Sequence, residues 1–341
     1  MLALAWVIYG SIEQPTGGYL YDYLIVEQLR QKGVVVRIES IEPSDPDRVP
    51  KLLESLRRNK DDAIVGDGLC APELVEVFEH LSSARRVLLL HHLKSWELEL
   101  DPSECHLIKV AECRAMAASD RVVATSQTTA RRILQQYPDC AAHVVEPGAD
   151  RLKVLEWIAS TNRVRLLGVG SAIPRKRWDR LLSCLDELSA EDLHVRLVGD
   201  PDRDPTYSAR LEQQIAASPY LRTHVQRLGT IDTNQLALEL AHSDALILPS
   251  SLEGYGTVLT EALHAGVPVI VSQQAAIPSE MVRGGAAMVF QDEAELCSKL
   301  RQFVRDSRTR ILARAAAERV AKVLPRWADA GAAFYRLLTL A

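Results

Sequence analysis

Apolar and polar positions along the chain alternate between short unbroken apolar runs and stretches with helical spacing. Residues 2–8 are a nearly continuous apolar run of strand length, followed by the glycine-bearing segment 10–18. Residues 19–32 carry apolar positions at helical spacing and are closed by Gly33. Val34-Val35-Val36 opens a second strand; Ala63-Ile64-Val65, residues 87–90 and residues 121–126 supply three more. A helix is expected over 107–118 and another after Ser126, with a mixed, acidic loop at 93–104. Strands alternating with helices predict a parallel α/β architecture. After a linker at about 149–162 the pattern restarts. Strands are predicted at 163–169, 193–198, 225–229, 245–248 and 269–271, with helices at 178–188 and 234–242 and from Thr257. An alanine-rich helical stretch covers 293–321, and a last helix covers 326–340. The restart predicts two Rossmann-like units, 1–150 and 163–322.

The densest pattern lies at 244–272. Ala245, Leu246, Ile247 and Leu248 form a run that Pro249 ends, residues 250–256 read as loop, and Thr257 reads as a helix N-cap. Leu259, Ala262 and Leu263 give a packing stripe, and Gly266 ends the helix before Pro268 opens the next strand. Glu253 sits in the loop and Glu261 in the helix, seven residues intervening. A strand end followed by a helix N-terminus is where an α/β sheet receives its ligand, and the helix dipole there favours phosphate. Taken alone, Glu261 reads more readily as a solvated helix carboxylate than as a ligand group.

Other strand ends carry candidate chemistry. Gly10, Gly17 and Gly18 do not have the spacing of a G-x-G-x-x-G fingerprint. Gly17-Gly18 reads either as a plain strand-to-helix turn or as a place where backbone approaches a ligand. His91-His92 follows the fourth strand. Adjacent strand residues point to opposite sides, so at most one of the two faces a site, and His91, the first past the strand, is preferred. A hydrogen-bonded or exposed His pair without ligand is the alternative. Asp67, in Gly66-Asp67-Gly68, suits a turn role as well as a site. Pro174-Arg175-Lys176 places two cations in a strand-end loop, suited to a developing negative charge.

Composition narrows the picture. The chain has 341 residues, 47% hydrophobic and 25% charged, enough for two cores. A formal charge of -5 argues against a general nucleic-acid binder. Arg57-Arg58, Arg85-Arg86 and Arg131-Arg132 would allow peripheral contact with an anionic membrane face, although scattered pairs usually form a solvated surface. Residues 1–9 lack a basic start and a cleavage site, so a buried first strand is expected there rather than a leader. The six cysteines are scattered without a C-x-x-C, which predicts reduced thiols, a cytoplasmic setting and no zinc site. The alternating acids Asp200, Asp202 and Asp204 do not make an EF-hand, because Pro205 and Leu211 stand where its glycine and glutamate belong.

With its flanking PSS, EGYG and AGVPVI segments, the Glu253-to-Glu261 stretch closely resembles the E-x7-E signature of family-4 (group 1) retaining glycosyltransferases. The resemblance implies the GT-B fold: two Rossmann-like domains facing across a cleft, the first taking the acceptor and the second a nucleotide-sugar donor, with the last helix crossing back onto the first. It implies that Glu253 contacts the donor sugar and Glu261 the ribose, and that Lys176 binds the diphosphate. Either Arg175 would stand in for the arginine that Ser171 replaces, or diphosphate binding is weaker. Backbone groups of Gly17, Gly18, Gly254, Tyr255, Gly256 and Thr257 would help hold the donor, those of Thr230 and Ile231 would read the base, and His91 would lie near acceptor and sugar. Catalysis is thereby assigned to Glu253, His91 and Lys176, with no metal and no cofactor beyond the donor. The acceptor stays undefined: saccharide, lipid-linked or small molecule. The pattern is imperfect: Glu146-Pro147 departs from the family's I-P-N-G segment, and Ala275-Ala276 replaces a glycine pair before Glu280. An epimerase or phosphorylase on the same fold, or a silent sugar-nucleotide-binding protein, are the alternatives.

Overall fold

A computed structural model of the chain describes residues 2–97, 100–159, 163–189, 191–275 and 279–339, the side chains of 279 and 280 excepted. Ala276, Pro278 and the side chain of Glu280, like residues 98–99 of the acidic loop, 160–162 of the linker and 340 of the last helix, lie outside the described residues. The chain divides into two compact units, 1–148 with 325–341, and 149–324.

The first unit runs β1 (Ala3–Tyr9), α1 (Gly17–Gln31), β2 (Val35–Ile41), α2 (Arg48–Asn59), β3 (Ala63–Asp67), α3 (Ala71–His80), β4 (Arg85–Leu90), α4 (Pro102–Ala118), β5 (Arg121–Ala124), α5 (Gln127–Gln136) and β6 (His143–Val144). Its six strands pair in parallel in the order β2-β1-β3-β4-β5-β6. Helices on the sheet faces explain why the strands read as unbroken apolar runs. The acidic stretch is less irregular than its composition implied. Lys94–Trp96 forms a short 3-10 turn, and α4 begins at Pro102, where Asp101 accepts a hydrogen bond from the Ser103 amide and Pro suits the first helical position.

The second unit runs β7 (Val164–Val169), α6 (Trp178–Glu187), β8 (Leu193–Val198), α7 (Pro205–Ala217), α8 (Pro219–His224), β9 (Val225–Gly229), α9 (Thr233–Ala241), β10 (Ala245–Leu248), α10 (Thr257–His264), β11 (Val269–Ser272), α11 (Ser279–Arg283), β12 (Ala287–Phe290), α12 (Glu293–Arg305) and α13 (Ser307–Ala321). Its strand order is β12-β11-β10-β7-β8-β9, all parallel. The single helix expected over 293–321 is two helices. Asp306 leaves helical geometry and caps α13, its carboxylate accepting from the Arg308 amide. A cap of this kind stabilises a helix start by about 1 kcal/mol, which favours the break.

The last helix, α14 (Trp327–Thr339), belongs to the first unit. Trp327, Ala330, Phe334 and Leu338 join one core with Trp6, Tyr21, Ile25 and Leu29. The Phe334 ring lies 5.5 Å from that of Trp6, and Trp327 meets Tyr21 edge-on at 5.8 Å. Burying each such side chain contributes about 1.5–3 kcal/mol. Among the described residues no helix is long and apolar enough to cross a membrane.

One close pair bears on the expectation of six reduced thiols. Cys184 on α6 and Cys297 on α12 lie side by side inside the second core, their Cα atoms 5.4 Å apart, a spacing that suits a disulfide, and 113 residues separate in sequence. That separation hid them; the packing of α12 on α6 brings them together. Cys70, Cys105, Cys113 and Cys140 are free.

Candidate active site

The strand order of the second unit places its switch point between β7 and β10. From β7 the chain winds outward through β8 and β9, and from β10 it winds the other way through β11 and β12. Ligands of such sheets bind beyond the carboxyl ends of the two central strands. The loop after β7 carries Arg175 and Lys176 in a 3-10 turn, Pro174–Lys176, and the loop after β10 carries Glu253. The loops are stitched together: the Ser251 amide donates to the Arg175 carbonyl at 2.9 Å, and the Arg175 guanidinium donates to the Leu252 carbonyl at 2.7 Å. Lys176 Nζ donates to Glu253 Oε1 at 2.6 Å, and Arg175 stands 3.8 Å from Glu253 Oε2. Burial pushes the Glu253 carboxyl up, but the two cations outweigh it and bring it down to about 2. Burial likewise lowers the Lys176 ammonium, with Glu253 opposing and Arg175 reinforcing the shift. Two cations facing one carboxylate leave a positive excess at the switch point.

The helix start after Glu253 differs from expectation. Gly256, with φ +74°, is the N-cap of α10, and Thr257 is the first helical residue. That left-handed backbone favours glycine, so the loop enters the helix without a side-chain cap. Gly254, Tyr255 and Thr257 are buried.

Glu261 is no solvated carboxylate: it is 2% exposed. Arg151 holds it through both oxygens, Nε to Oε1 at 2.6 Å and an NH2 nitrogen to Oε2 at 3.0 Å. Burial raises the Glu261 carboxyl and Arg151 pulls against that rise. The same guanidinium reaches Thr233 Oγ1 at 3.3 Å. Thr233 opens α9, two residues past Ile231, so Arg151 joins Glu261 to the helix that follows the predicted base-reading residues. Thr230 is exposed and Ile231 half-buried against the core.

In the first unit the order β2-β1-β3 puts a switch point between β1 and β3. Gly17 and Gly18 are the opening residues of α1 rather than loop, following Thr16 as N-cap. The tolerance for glycine there has a steric cause at Gly18, where a Cβ would stand 3.1 Å from the His91 ring. The structure also separates the two histidines. His91 Nε2 lies 3.0 Å from Asp22 Oδ1 and 3.7 Å from Asp67 Oδ2, and its ring meets Tyr21 edge-on. His92 Nε2 instead pairs with Glu97 at 3.0 Å. Asp67 does both things its sequence allowed: Oδ1 accepts from the Leu69 amide at 2.7 Å, turning the chain, while Oδ2 faces His91. Burial first, then Asp22, pushes Asp67 up to about 7, with His91 opposing. Burial lowers His91, but Asp22 and Asp67 prevail and raise it.

These shifts set a pH dependence. Asp67 has a folded pKa raised above its ordinary value of about 3.9. Its contribution to stability is therefore complete below about pH 4 and is lost as pH rises through about 7. Asp67→Asn removes that loss. Thermal melts of the two proteins should show the variant gaining on wild type by a few degrees between pH 5 and pH 8. A constant difference across that range would contradict the assignment.

The two parallel α/β units have the GT-B fold. The fold matches sucrose-phosphate synthase from Thermosynechococcus elongatus with a TM-score of 0.85 at 17% identity, covering 99% of this chain and 98% of that one. It also matches Anabaena HepE, solved with UDP-glucose, with a TM-score of 0.82 at 16% identity over the full length of both. Residues 156–322 match the family model of glycosyl transferases group 1. A curated relative, the D-inositol 3-phosphate glycosyltransferase of Geodermatophilus obscurus, is 28% identical over 212 residues, 56% of this chain and 47% of that protein. The chain spans about half the length of such relatives or less.

Sequence reasoning missed Arg151 and Asp22. Arg151 follows the segment that closes the first unit and precedes the residues matched by the family, so no motif marked it. Asp22 lies within the helical pattern of α1 and is fully buried. Its signal was an acid on the buried face of an otherwise apolar helix.

Proposed function

We propose that the chain is a glycosyltransferase that moves a sugar from a nucleotide-diphosphate donor to an acceptor hydroxyl, retaining the anomeric configuration and using no metal in the transfer. The carrying observation is the Lys176–Glu253 pair with Arg175 beside it at the switch point of the second unit. Lys176 and Arg175 stabilise the charge that develops on the departing diphosphate. Glu253, ionised down to about pH 2, accepts hydrogen bonds from sugar hydroxyls and is unsuited to donating a proton. Glu261 accepts from the ribose hydroxyls, and backbone groups of Thr230 and Ile231 meet the base. Backbone groups at Gly254, Tyr255, Gly256 and Thr257, and at Gly17 and Gly18, complete the donor contacts. His91, held by Asp22, serves the acceptor and sugar side. The acceptor oxygen bonds to the anomeric carbon on the face the phosphate leaves, and its proton passes to the departing phosphate oxygen.

The UDP-glucose complex of HepE makes UDP-sugars the first donors to try. The test is a thermal-shift screen of UDP-, GDP-, ADP- and dTDP-sugars, followed by turnover of the hits with mixed acceptors. One class should raise the melting temperature and be consumed only when acceptor is present. Consumption without acceptor would indicate an epimerase, and a requirement for inorganic phosphate a phosphorylase. Binding without any consumption would favour a silent binding protein, the reading that Ser171 and Ala275-Ala276 support.

A further inference from the structure

The donor residues occupy the carboxyl ends of the second sheet, but its opposite edge carries a cluster that the proposed transfer does not use. Asp192 precedes β8, His194 is the second residue of β8, and His224 is the last residue of α8 before β9. One ligand atom from each lies within 4.8 Å of the other two. His194 Nε2 and Asp192 Oδ1 are 3.5 Å apart, longer than an ordinary hydrogen bond. That distance is close to the edge of a tetrahedron with metal bonds of about 2.05 Å, which is about 3.3 Å.

A second observation concerns how His224 is held. Its Nδ1 lies 2.9 Å from the Tyr220 carbonyl oxygen and 2.7 Å from Thr223 Oγ1, and with the Nδ1 proton directed at that carbonyl Nε2 keeps its lone pair. The Tyr220 ring stacks on the imidazole at 3.9 Å and 16°, and its hydroxyl donates to the Glu191 carbonyl at 2.8 Å. A ring oriented by a backbone carbonyl at one nitrogen is an arrangement in which histidine ligates metal through the other. The His194 ring lies 4.7 Å from it, tilted 48°. Both imidazoles border a cavity of about 570 Å³, which leaves room for water or an anion to complete coordination.

We propose that Asp192, His194 and His224 bind a divalent transition ion of the zinc type, remote from the donor residues and joining β8 to the α8–β9 junction. Two imidazoles and one carboxylate suit zinc, whereas magnesium and calcium prefer oxygen-only sets. The absence of a C-x-x-C argued against a thiolate zinc site and left this nitrogen–oxygen one unconsidered. The opposing influence is Arg163, whose guanidinium lies 3.7 Å from Asp192 and competes for its carboxylate. Arg196 and Arg222 also border the cavity, so an anion is the expected remaining ligand.

The test is zinc titration of the full chain, stripped with chelator, in competition with a chromogenic zinc indicator. Wild type should take up one ion, and excess magnesium should not displace it. His194→Gln and His224→Gln should each weaken binding by about tenfold or more. Arg163→Gln should tighten it, an effect that a purely structural role for the cluster would not produce. Far-ultraviolet circular dichroism in the presence of chelator verifies that each variant is folded. Zinc binding that is unchanged in the His194→Gln/His224→Gln double variant would overturn the proposal and place the ion elsewhere, with the free thiols Cys105, Cys113 and Cys140 as the first candidates. Failure of wild type to take up zinc would overturn it as well.

Discussion

Glu253→Gln is expected to lower kcat/KM by about 10²–10³ while nucleotide diphosphate binds as tightly as before or tighter. The two halves of this expectation have one cause. Glu253 accepts a hydrogen bond from the Lys176 ammonium at 2.6 Å and faces Arg175 at 3.8 Å, so it neutralises part of the charge that the proposed transfer assigns to phosphate. Removing its charge releases the cations toward the diphosphate and removes the acceptor for the sugar hydroxyls. Glutamine keeps the volume and one acceptor oxygen, so the buried loop stays filled. Calorimetry with the free nucleoside diphosphate and steady-state turnover with the donor separate the two effects. Unchanged turnover, or a large loss of nucleotide affinity with normal turnover at saturation, would refute the assignment.

Arg151→Met should have the second large effect, on nucleotide affinity and on its pH dependence. The guanidinium engages both oxygens of a carboxylate that is 2% exposed. Removing one partner of a fully buried pair costs about 3–5 kcal/mol, and the partial exposure of Arg151 places this case toward the lower end. Glu261 is already raised by burial, and without Arg151 it must rise further. A neutral Glu261 is a poorer acceptor for ribose hydroxyls, so affinity should fall as pH drops through the raised value. The ratio of wild-type to variant affinity should therefore widen toward acid pH and narrow toward alkaline pH. Titrations at pH 5.5 and 8.5 decide it; a ratio independent of pH would mean that Arg151 acts only through stability.

The strands were legible because both faces of a parallel sheet are buried and leave near-continuous apolar runs. Residues 193–198, 225–229 and 245–248 are strands in the structure with the same bounds. Boundaries shifted where a polar side chain intervened: Asp306 split one helix, Asp101 started another early, and Gly256 took the cap expected of Thr257. Within the candidate site, Lys176, Arg175 and Glu253 were visible because each stands at a strand end, and the structure brings them together. The partners that set their neighbours' charges were not visible. Arg151 reaches Glu261 across 110 residues, and Asp22 reaches His91 across 69, contacts that no local spacing encodes.

The placement of α14 bears on how the chain is made. During synthesis residues 1–148 emerge before residues 149–324, yet Trp327, Ala330, Phe334 and Leu338, which complete the core of the former, emerge after both. The nascent first unit must therefore wait with Trp6, Tyr21, Ile25 and Leu29 incompletely covered, while residues 149–324 have all their own partners at hand. Contacts separated by some three hundred residues close slowly and leave apolar surface exposed to aggregation or chaperones in the interval. The unit whose residues emerge earlier is thus the one that finishes folding later, and refolding after dilution from denaturant should show its protection from proteolysis appearing after that of the second unit.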